Sequence, residues 1–576
     1  MGLLNSALQI GRSALLSYQG ALQTVGNNIS SAGSPDYTRL APQLDPIQGS
    51  LIANDLQPGA GVALTDIQRY IDDALEGRLR LAIGGEESAA ARQVALAPIE
   101  TYFDDLSGAG VATRLTDFFN RFAELQNTPE DPAVRDLTLA GGTALAESLR
   151  TLRAQLATLG ADLDGQIGDL VARADDIADE IADLNAQIST GEAGRRGQAT
   201  ALRDQRDALL RELSELFDVT VREQPDGSMN VYVGSEALIQ GASSRGLVAV
   251  TETDGEFART SVRFADTNQQ IEVRNGRLAG LIVARDQNAY GQIAEIDKLA
   301  AALIADVNRI HADGQGLAGY RSVTGDFDVL STTAALDSAN AGLSNPPQSG
   351  SFYVTVADDA TATPVGYRID VNLDAAGGGA SLESLVADFN TQVSGVTASV
   401  TSDRRLAFTA DAGFSFTFGY DGQEARADTS HVLAAMGINT FFNGTDARNI
   451  AVSPTLQANP SLIAAASVYL PGDGANAGRI AAMDTAPSGP LSDLSILEFY
   501  NSVATAVAVT ASGANADVDA TGAVRSSLQA QKESISGVNL DEEAIALVKY
   551  ERAFQGAARF VTVVDQLLGE LVALIR

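Results

Sequence analysis

The stretch TVGNNISSAGSPDYTR, residues 24–39, separates a strongly patterned N-terminal segment from the body of the chain. It is rich in glycine, serine and asparagine, which favour turns and helix ends. Gly26, Asn27 and Asn28 can each adopt left-handed backbone geometry at low cost. The pattern therefore predicts that a helix ends at these residues and that a connector follows it as far as Arg39.

Apolar residues recur at alternating spacings of four and three residues at both ends of the chain. The N-terminal seam, in which the small Gly11 fills one position, is Leu4, Leu8, Leu15, Tyr18, Leu22, Val25 and Ile29. The C-terminal seam is Leu547, Tyr550, Phe554, Ala557, Val561, Val564, Leu568, Leu571 and Ile575. Such heptads place one narrow apolar face along a helix. They are also compatible with two amphipathic helices of an ordinary core. Because termini fray unless something holds them, we favour pairing of the two ends, with further packing between subunits.

Composition limits the classes of partner. The chain has 576 residues and a net charge of −34, so several domains are expected and nucleic acid or an anionic membrane would be repelled. It contains no cysteine, which excludes disulfides and thiolate metal sites. The N-terminus lacks the basic and apolar regions of a secretory signal. We therefore expect a cytosolic protein or export by a route that reads no cleavable leader.

Changes in periodicity predict an α+β multidomain fold. The terminal helices would form a coiled-coil-like inner domain beside a helical-rod middle domain and an inserted β-rich outer domain. Alternation around Pro225-Asp226-Gly227 predicts a hairpin. The predicted ranges are 1–40 (N-terminal heptad helix and connector), 41–217 (helical middle domain), 218–275 (β-hairpin-containing subdomain), 276–340 (helical return), 341–455 (inserted β-rich domain), 456–540 (second helical return) and 541–576 (C-terminal heptad helix).

Catalytic signatures are missing from the sequence. It contains no P-loop, HExxH, GxSxG or EF-hand motif. His311 and His431 have no third ligand at metal spacing, so we interpret them as structural or surface residues. We expect no catalytic residue, no metal and no cofactor.

The two ends resemble the bacterial flagellar rod, hook and hook-associated protein family. At the N-terminus the matching residues are Gly26, Asn27, Asn28, Ile29, Pro35, Tyr37, Thr38 and Arg39. Ser31 stands where the family usually has asparagine, and Asp36 where it usually has glycine. At the C-terminus the matching residues are Gly537, Val538, Asn539, Leu540, Glu542, Glu543, Tyr550, Ala553 and Ala558. Helical blocks at 99–135, 202–221 and 276–319 resemble those of the hook–filament junction members.

The resemblance implies a non-enzymatic structural subunit of the flagellum, outside the cell at the hook–filament junction, exported unfolded by the type III route without a cleaved signal. Its implied partners are further copies in a ring, the hook protein, the next junction protein and an export chaperone that holds the C-terminal seam. Gly26, Asn27, Asn28, Pro35, Tyr37, Thr38 and Arg39 would form the connector. A hook or rod subunit is the nearest alternative. An enzyme or adhesin carried by the β-rich insertion is the alternative from another class.

Overall fold

The computed structural model describes residues 2–34, 36–49, 59–104, 108, 110–193, 197–361, 364–374, 379–468, 470 and 472–575; of residues 2–4, 572, 574 and 575 only the backbone is described. The α-helices are α1 Gly2–Ser31, α2 Asp73–Tyr102, α3 Val111–Asn127, α4 Pro132–Gly191, α5 Thr200–Leu216, α6 Gly276–Val283, α7 Tyr290–Ala312, α8 Leu382–Gln392, α9 Val432–Ala435, α10 Pro454–Ala458, α11 Ala475–Ala481, α12 Ile496–Ser536 and α13 Leu540–Ile575. A π-helical segment, Ala284–Ala289, separates α6 from α7, and short 3-10 turns lie at Ala339–Ala341, Pro460–Leu462, Ala482–Asp484 and Gly489–Leu491.

The strands form small antiparallel sheets. They are β1 Leu40–Pro46, β2 Val62–Arg69, β3 Val219–Glu223, β4 Met229–Val233, β5 Glu236–Gln240, β6 Ser243–Ser244, β7 Leu247–Asp254, β8 Phe257–Phe264, β9 Ser322–Asp328, β10 Gly350–Asp358, β11 Pro364–Val371, β12 Val396–Val400, β13 Arg405–Ala410, β14 Phe414–Phe418, β15 Phe442–Asn443 and β16 Ala451–Val452. The sheet orders are β1-β2, β3-β4-β5-β6, β7-β8, β11-β10-β14, β12-β13-β9 and β15-β16.

The chain forms two compact units. The first contains residues 1–95, 161–284 and 512–576. Its core lies among α2, α4, α5 and the β3–β6 sheet, where side chains such as Leu79, Ile181 and Leu210 are fully buried. Buried polar side chains attach the sheets to α4: Asn185 donates to the carbonyls of Met229 and Gly241 at 2.8 and 2.7 Å. These paired groups fix the register of the strands against the helix, because an unpaired buried amide is costly.

The second unit contains residues 96–160 and 285–511. Phe118 and Phe122 of α3 pack edge-on against Phe441, with ring centroids 5.5 and 5.2 Å apart. Strands β9–β14 and helix α8 belong to this unit, and their core is aromatic. Phe389 on α8 lies 4.7 Å from Phe408 on β13. Strands β10–β14 and helix α8 fall within 341–455, the range predicted to be a β-rich insertion.

Three expectations differ from the structure. Residues 40–46 and 62–69, inside the range predicted to be helical, form the β1–β2 hairpin. Within the predicted helical return, 276–340, the π-helical segment separates α6 from α7. The prediction that the first helix ends at Gly26, Asn27 and Asn28 is wrong, since α1 continues to Ser31 and none of these residues has a positive φ.

No single helix among the described residues combines the length and apolar composition needed to cross a membrane. One pair bent by 62°, Ala475–Leu491 with Ile496–Leu571, passes a test of length and composition alone.

Candidate functional site

The two ends of the chain pack along each other as α1 and α13. Gly11 permits the closest approach, because a Cβ at this position would lie 2.4 Å from the Cγ2 of Val561 and 3.3 Å from the ring of Phe560. Farther along, Val25 on α1 and Val564 on α13 are buried. Gly11 therefore sets the spacing of the two helices.

Every described seam residue is buried or half-buried. The described members are Leu8, Leu15, Tyr18, Leu22, Val25 and Ile29 on α1, and Leu547, Tyr550, Phe554, Ala557, Val561, Val564, Leu568 and Leu571 on α13. The side chains of Leu4 and Ile575, and the connector residue Pro35, lie outside the described part of the chain. The heptad pattern thus identifies the helix faces that turn away from solvent.

A β-hairpin covers a second side of α1. The Ser17 hydroxyl donates to the carbonyl of Val62 and accepts from the amide of Leu64, both at 3.0 Å. Gly20 allows Leu64 to pack closely on α1, because a Cβ at position 20 would lie only 2.6 Å from Cδ2 of Leu64. Gly11 has the same role for Val561. Helix α1 is therefore held on two sides within one chain, which a two-helix coiled coil would not provide.

Asn28 is the centre of the connector. Its side chain is fully buried and has four hydrogen bonds. Nδ2 donates to the Leu40 carbonyl at 2.8 Å and to Oε2 of Glu543 at 3.0 Å. Oδ1 accepts from the Leu40 amide at 3.0 Å and from the Tyr37 hydroxyl at 2.8 Å. These four bonds join α1, the connector and α13, and they explain why the helix continues through Asn28 instead of ending there.

Glu543 completes this node from the C-terminal helix. Its side chain is 2% exposed, and its Oε1 accepts from Nε of Arg39 at 2.8 Å. Nη1 of Arg39 also pairs with Glu542 at 2.8 Å, and the Arg39 amide donates to the Ser536 carbonyl at 3.0 Å. Because both oxygens of a buried carboxylate have donors, the ion is stabilised where an unpaired one would be costly. We name Asn28, Tyr37, Arg39 and Glu543 the connector node.

The connector also contacts the helical body of the first unit. The Thr38 hydroxyl hydrogen-bonds to Asp204 and accepts from Nη2 of Arg69 at 3.3 Å. Arg69 in turn pairs with Asp204 and Asp207 on α5 at 2.7 and 2.5 Å. Burial, with the nearby charges of Asp204 and Glu543, raises the pKa of Tyr37 to about 12, so its hydroxyl remains a donor to Asn28 at neutral pH.

Asp36 stands in the connector where the sequence resemblance predicts a glycine. Its carboxylate lies 2.6 Å from Nη2 of Arg211 on α5. Arg211 approaches Glu76 at 3.6 Å, and Glu76 pairs with Lys532 at 3.1 Å. The substitution thus adds an ion pair between the connector and the helical body.

The remaining connector residues, Gly26 and Asn27, lie on the exposed side of α1, and nothing lies within 4 Å of a Cβ added to Gly26. The structure brings together Asn28, Tyr37, Thr38 and Arg39, and places Gly26 and Asn27 apart from them. Sequence reasoning did not assign a site role to Glu543, Asp204 or Arg69. Glu543 lies among acidic neighbours in LDEEA, and no periodic signal distinguishes the buried carboxylate from the exposed ones.

Helix α13 carries a second apolar row that stays about half exposed in the described part of the chain. Phe560, Val563 and Leu567 are 44%, 53% and 48% exposed. They lie three and four residues apart, so they share one side of the helix. We name these three residues the outer stripe. An exposed apolar row rimmed by charged residues is typical of a protein-interaction surface.

The chain has relatives along its whole length. The sequence model of the flagellar hook-associated protein FlgK helical domain matches residues 96–327, and that of the flagellar basal body rod FlgEFG protein C-terminal region matches residues 529–574. Flagellar hook-associated protein 1 of Escherichia coli strain K12 is 27% identical over 585 residues, covering 99% of this chain and 100% of the relative. Over its whole length the chain is similar to flagellar hook-associated protein 1. It is accordingly a hook-associated junction protein, a structural component of the flagellum.

More distant relatives agree with this similarity. Flagellar hook-associated protein 1 of Bacillus subtilis strain 168 is 24% identical over 593 residues, covering 98% of this chain and 97% of the relative. The solved structure of the flagellar hook junction protein FlgK from Burkholderia pseudomallei aligns with a TM-score of 0.52 and 16% identity, covering 80% of this chain and all of that chain. At that identity the structural likeness supports the α+β multidomain fold.

Proposed function

We propose that copies of this chain assemble as a ring between hook and filament, in a structural and not a catalytic role. The terminal pair of α1 and α13 forms the inner layer of that ring, and the β-rich insertion lies outermost. The observation that carries the proposal is the connector node. Glu543, buried on α13, accepts from both Asn28 and Arg39, and so fixes the terminal pair to the segment that leads into the body.

The export pathway that we propose is the one implied by the resemblance to flagellar proteins. The chain is exported unfolded through the flagellar type III channel without a cleaved signal, and it acts outside the cell. A chaperone holds the C-terminal seam before export. The outer stripe supports this part of the proposal, because Phe560, Val563 and Leu567 leave apolar surface in water even when α13 is paired with α1. The hook protein and the next junction protein are the neighbours on either side.

Deletion of the gene tests the junction role. We expect cells with complete hooks but no filaments, together with flagellin in the medium, because filament subunits have no base on which to polymerise. Basal bodies without hooks would contradict the junction role and would favour a hook or rod subunit.

Complementation of the deletion strain tests the connector node. Glu543→Gln keeps the shape of the side chain and removes the charge that pairs with Arg39. Glu551→Gln makes the same change at an exposed position of the same helix, outside the node. We expect the first variant to restore fewer filaments per cell than the second, at equal amounts of exported protein. Equal filament numbers would show that the buried pair has no part in assembly.

A further inference from the structure

A groove of about 880 Å³ lies within the first unit, bounded by α4, α5 and α12. Leu184, Ala208 and Leu209 contribute apolar surface to it. The segments along its two sides, residues 180–187 of α4 and 525–532 of α12, are each about 10 Å long at the helical rise of ~1.5 Å per residue. No residue of α13 lines the groove. It therefore has the length and the apolar surface to hold about two turns of a helix.

The charges of the groove determine which helix fits. Glu180, Asp183 and Glu215 line it, and none of the three has an ion pair or a hydrogen bond among the described residues. The three basic side chains that line the groove each form an ion pair with a carboxylate of the same unit. These pairs are Arg211 with Asp36, Arg525 with Glu86 and Lys532 with Glu76, at 2.6, 3.0 and 3.1 Å. The groove thus presents a small apolar patch among polar side chains and is negative towards an incoming partner, so it favours a helix with an apolar row beside free basic residues.

The outer stripe of α13 has this composition. From Phe560 to Leu567 it covers about 10 Å of helix at ~1.5 Å per residue, equal to the length of the groove. Arg559 adjoins the stripe and Arg552 lies two turns before it, both exposed and without an ion-pair partner among the described residues. Glu551 and Asp565 fall on other sides of the helix, since each residue turns it by about 100°. Glu570 lies on the side of the stripe, three residues after Leu567, so basic charge adjoins the stripe only at its N-terminal end.

We propose that the groove of one copy binds the outer stripe of a second copy. Phe560, Val563 and Leu567 pack against Leu184, Ala208 and Leu209, and Arg559 pairs with Glu180 and Asp183. The contact joins different surfaces of the two copies, so it is heterologous, and repetition of such a contact produces a ring or a helical array. The inference rests on the self-association put forward under Proposed function.

Cysteine cross-linking tests the contact without background, because the chain contains no cysteine. Full-length Leu209→Cys and Val563→Cys are mixed and oxidised under conditions in which light scattering detects self-association, in solution or on isolated hooks. We expect a disulfide-linked pair of the two variants, since a disulfide forms only when the two Cα atoms come within about 7 Å. Val248→Cys, exposed on β7, replaces Leu209→Cys in the control mixture and is expected to give no cross-link.

A charge reversal supplies an independent test. Asp183→Lys and Arg559→Glu are each expected to weaken association about tenfold, because like charges would face each other across the contact. The double variant restores association, since it re-forms the pair with opposite signs. Asp162→Lys, the same change at an exposed position of α4 outside the groove, is expected to have no effect.

The outcomes separate this contact from the proposed function. Association without the Leu209–Val563 cross-link, or cross-linking of Val563→Cys only with itself, overturns the groove contact and leaves ring assembly standing. Association that never occurs, in solution or on hooks, overturns the assembly and the contact with it. Failure of the double variant to recover shows that the charges do not face each other.

Discussion

Replacing Asn28 by alanine is expected to loosen the terminal helices without unfolding the body of the protein. The change removes four hydrogen bonds at a fully buried position, two of them to the backbone of Leu40. At about 1 kcal/mol net for each bond, the loss is about 4 kcal/mol. The higher helix propensity of alanine returns about 0.7 kcal/mol. The free energy that keeps α1 closed should therefore fall by about 3 kcal/mol.

Hydrogen exchange measures this quantity locally. A loss of about 3 kcal/mol corresponds to roughly a hundredfold faster exchange of the α1 amides when exchange occurs through local opening. Amides of α5 should keep their protection, because they do not depend on the node. Asn27→Ala is the matched control, since the neighbouring asparagine is exposed and its side chain has no hydrogen bond among the described residues. Exchange of α1 that differs by less than threefold between the two variants would refute the structural role assigned to Asn28.

Three further predictions concern single positions. Gly11→Ala should separate α1 from α13, because the added Cβ would lie 2.4 Å from Val561. Gly26→Ala should instead stabilise α1 by about 0.5–1 kcal/mol, since nothing lies within 4 Å of a Cβ at that position. Amide hydrogen exchange of α1 measures both effects. Burial lowers the pKa of His311 to about 4 and raises that of Asp428 to about 6. On acidification from pH 6.5 to 4, His311 gains its proton more readily in the unfolded chain, which lowers the free energy of unfolding, whereas Asp428 gains its proton more readily in the folded chain, which raises it. Urea titrations should therefore show acid-induced stabilisation in His311→Gln and acid-induced destabilisation in Asp428→Asn, each by about 3 kcal/mol, and parallel pH profiles would contradict this assignment. Asp36→Gly should cost less than about 1 kcal/mol at low salt and almost nothing at 1 M salt, since the Asp36 side chain is 58% exposed; a cost that is independent of salt would exclude the ion pair as its source.

The sequence was sufficient for the elements whose side chains repeat regularly. The heptads of α1 and α13 predicted both helices and their inward faces, and the alternating runs predicted β3, β4 and β10–β14. In each case the burial of a regular face determines the structure, and that regularity is visible in the sequence.

At the end of α1 and in the β1–β2 hairpin, tertiary contacts determine the structure and local sequence does not. Gly26, Asn27 and Asn28 have low helix propensity, yet the buried side chain of Asn28 is satisfied by Leu40, Tyr37 and Glu543, so the helix persists. No local pattern contains those partners, which lie 9, 12 and 515 residues away. The β1–β2 hairpin escaped prediction for a related reason, since LAPQLDP includes two prolines and its strand is held by pairing with residues 62–69 and by packing on α1. The same limit applies to Glu543 and Arg69, whose roles depend on which charges the fold brings next to them.

The 515-residue separation of Asn28 from Glu543 also determines when the node can form. Closing a loop of that length costs about 5 kcal/mol of chain entropy unless the intervening residues are already folded. Moreover, Glu543 leaves the ribosome 515 residues after Asn28. The terminal pair is therefore a late event in folding, and its formation reports that the residues between the two have been made and that the body is in place. A truncated subunit keeps α1 and the connector but lacks Glu543, so it fails this check on chain completeness.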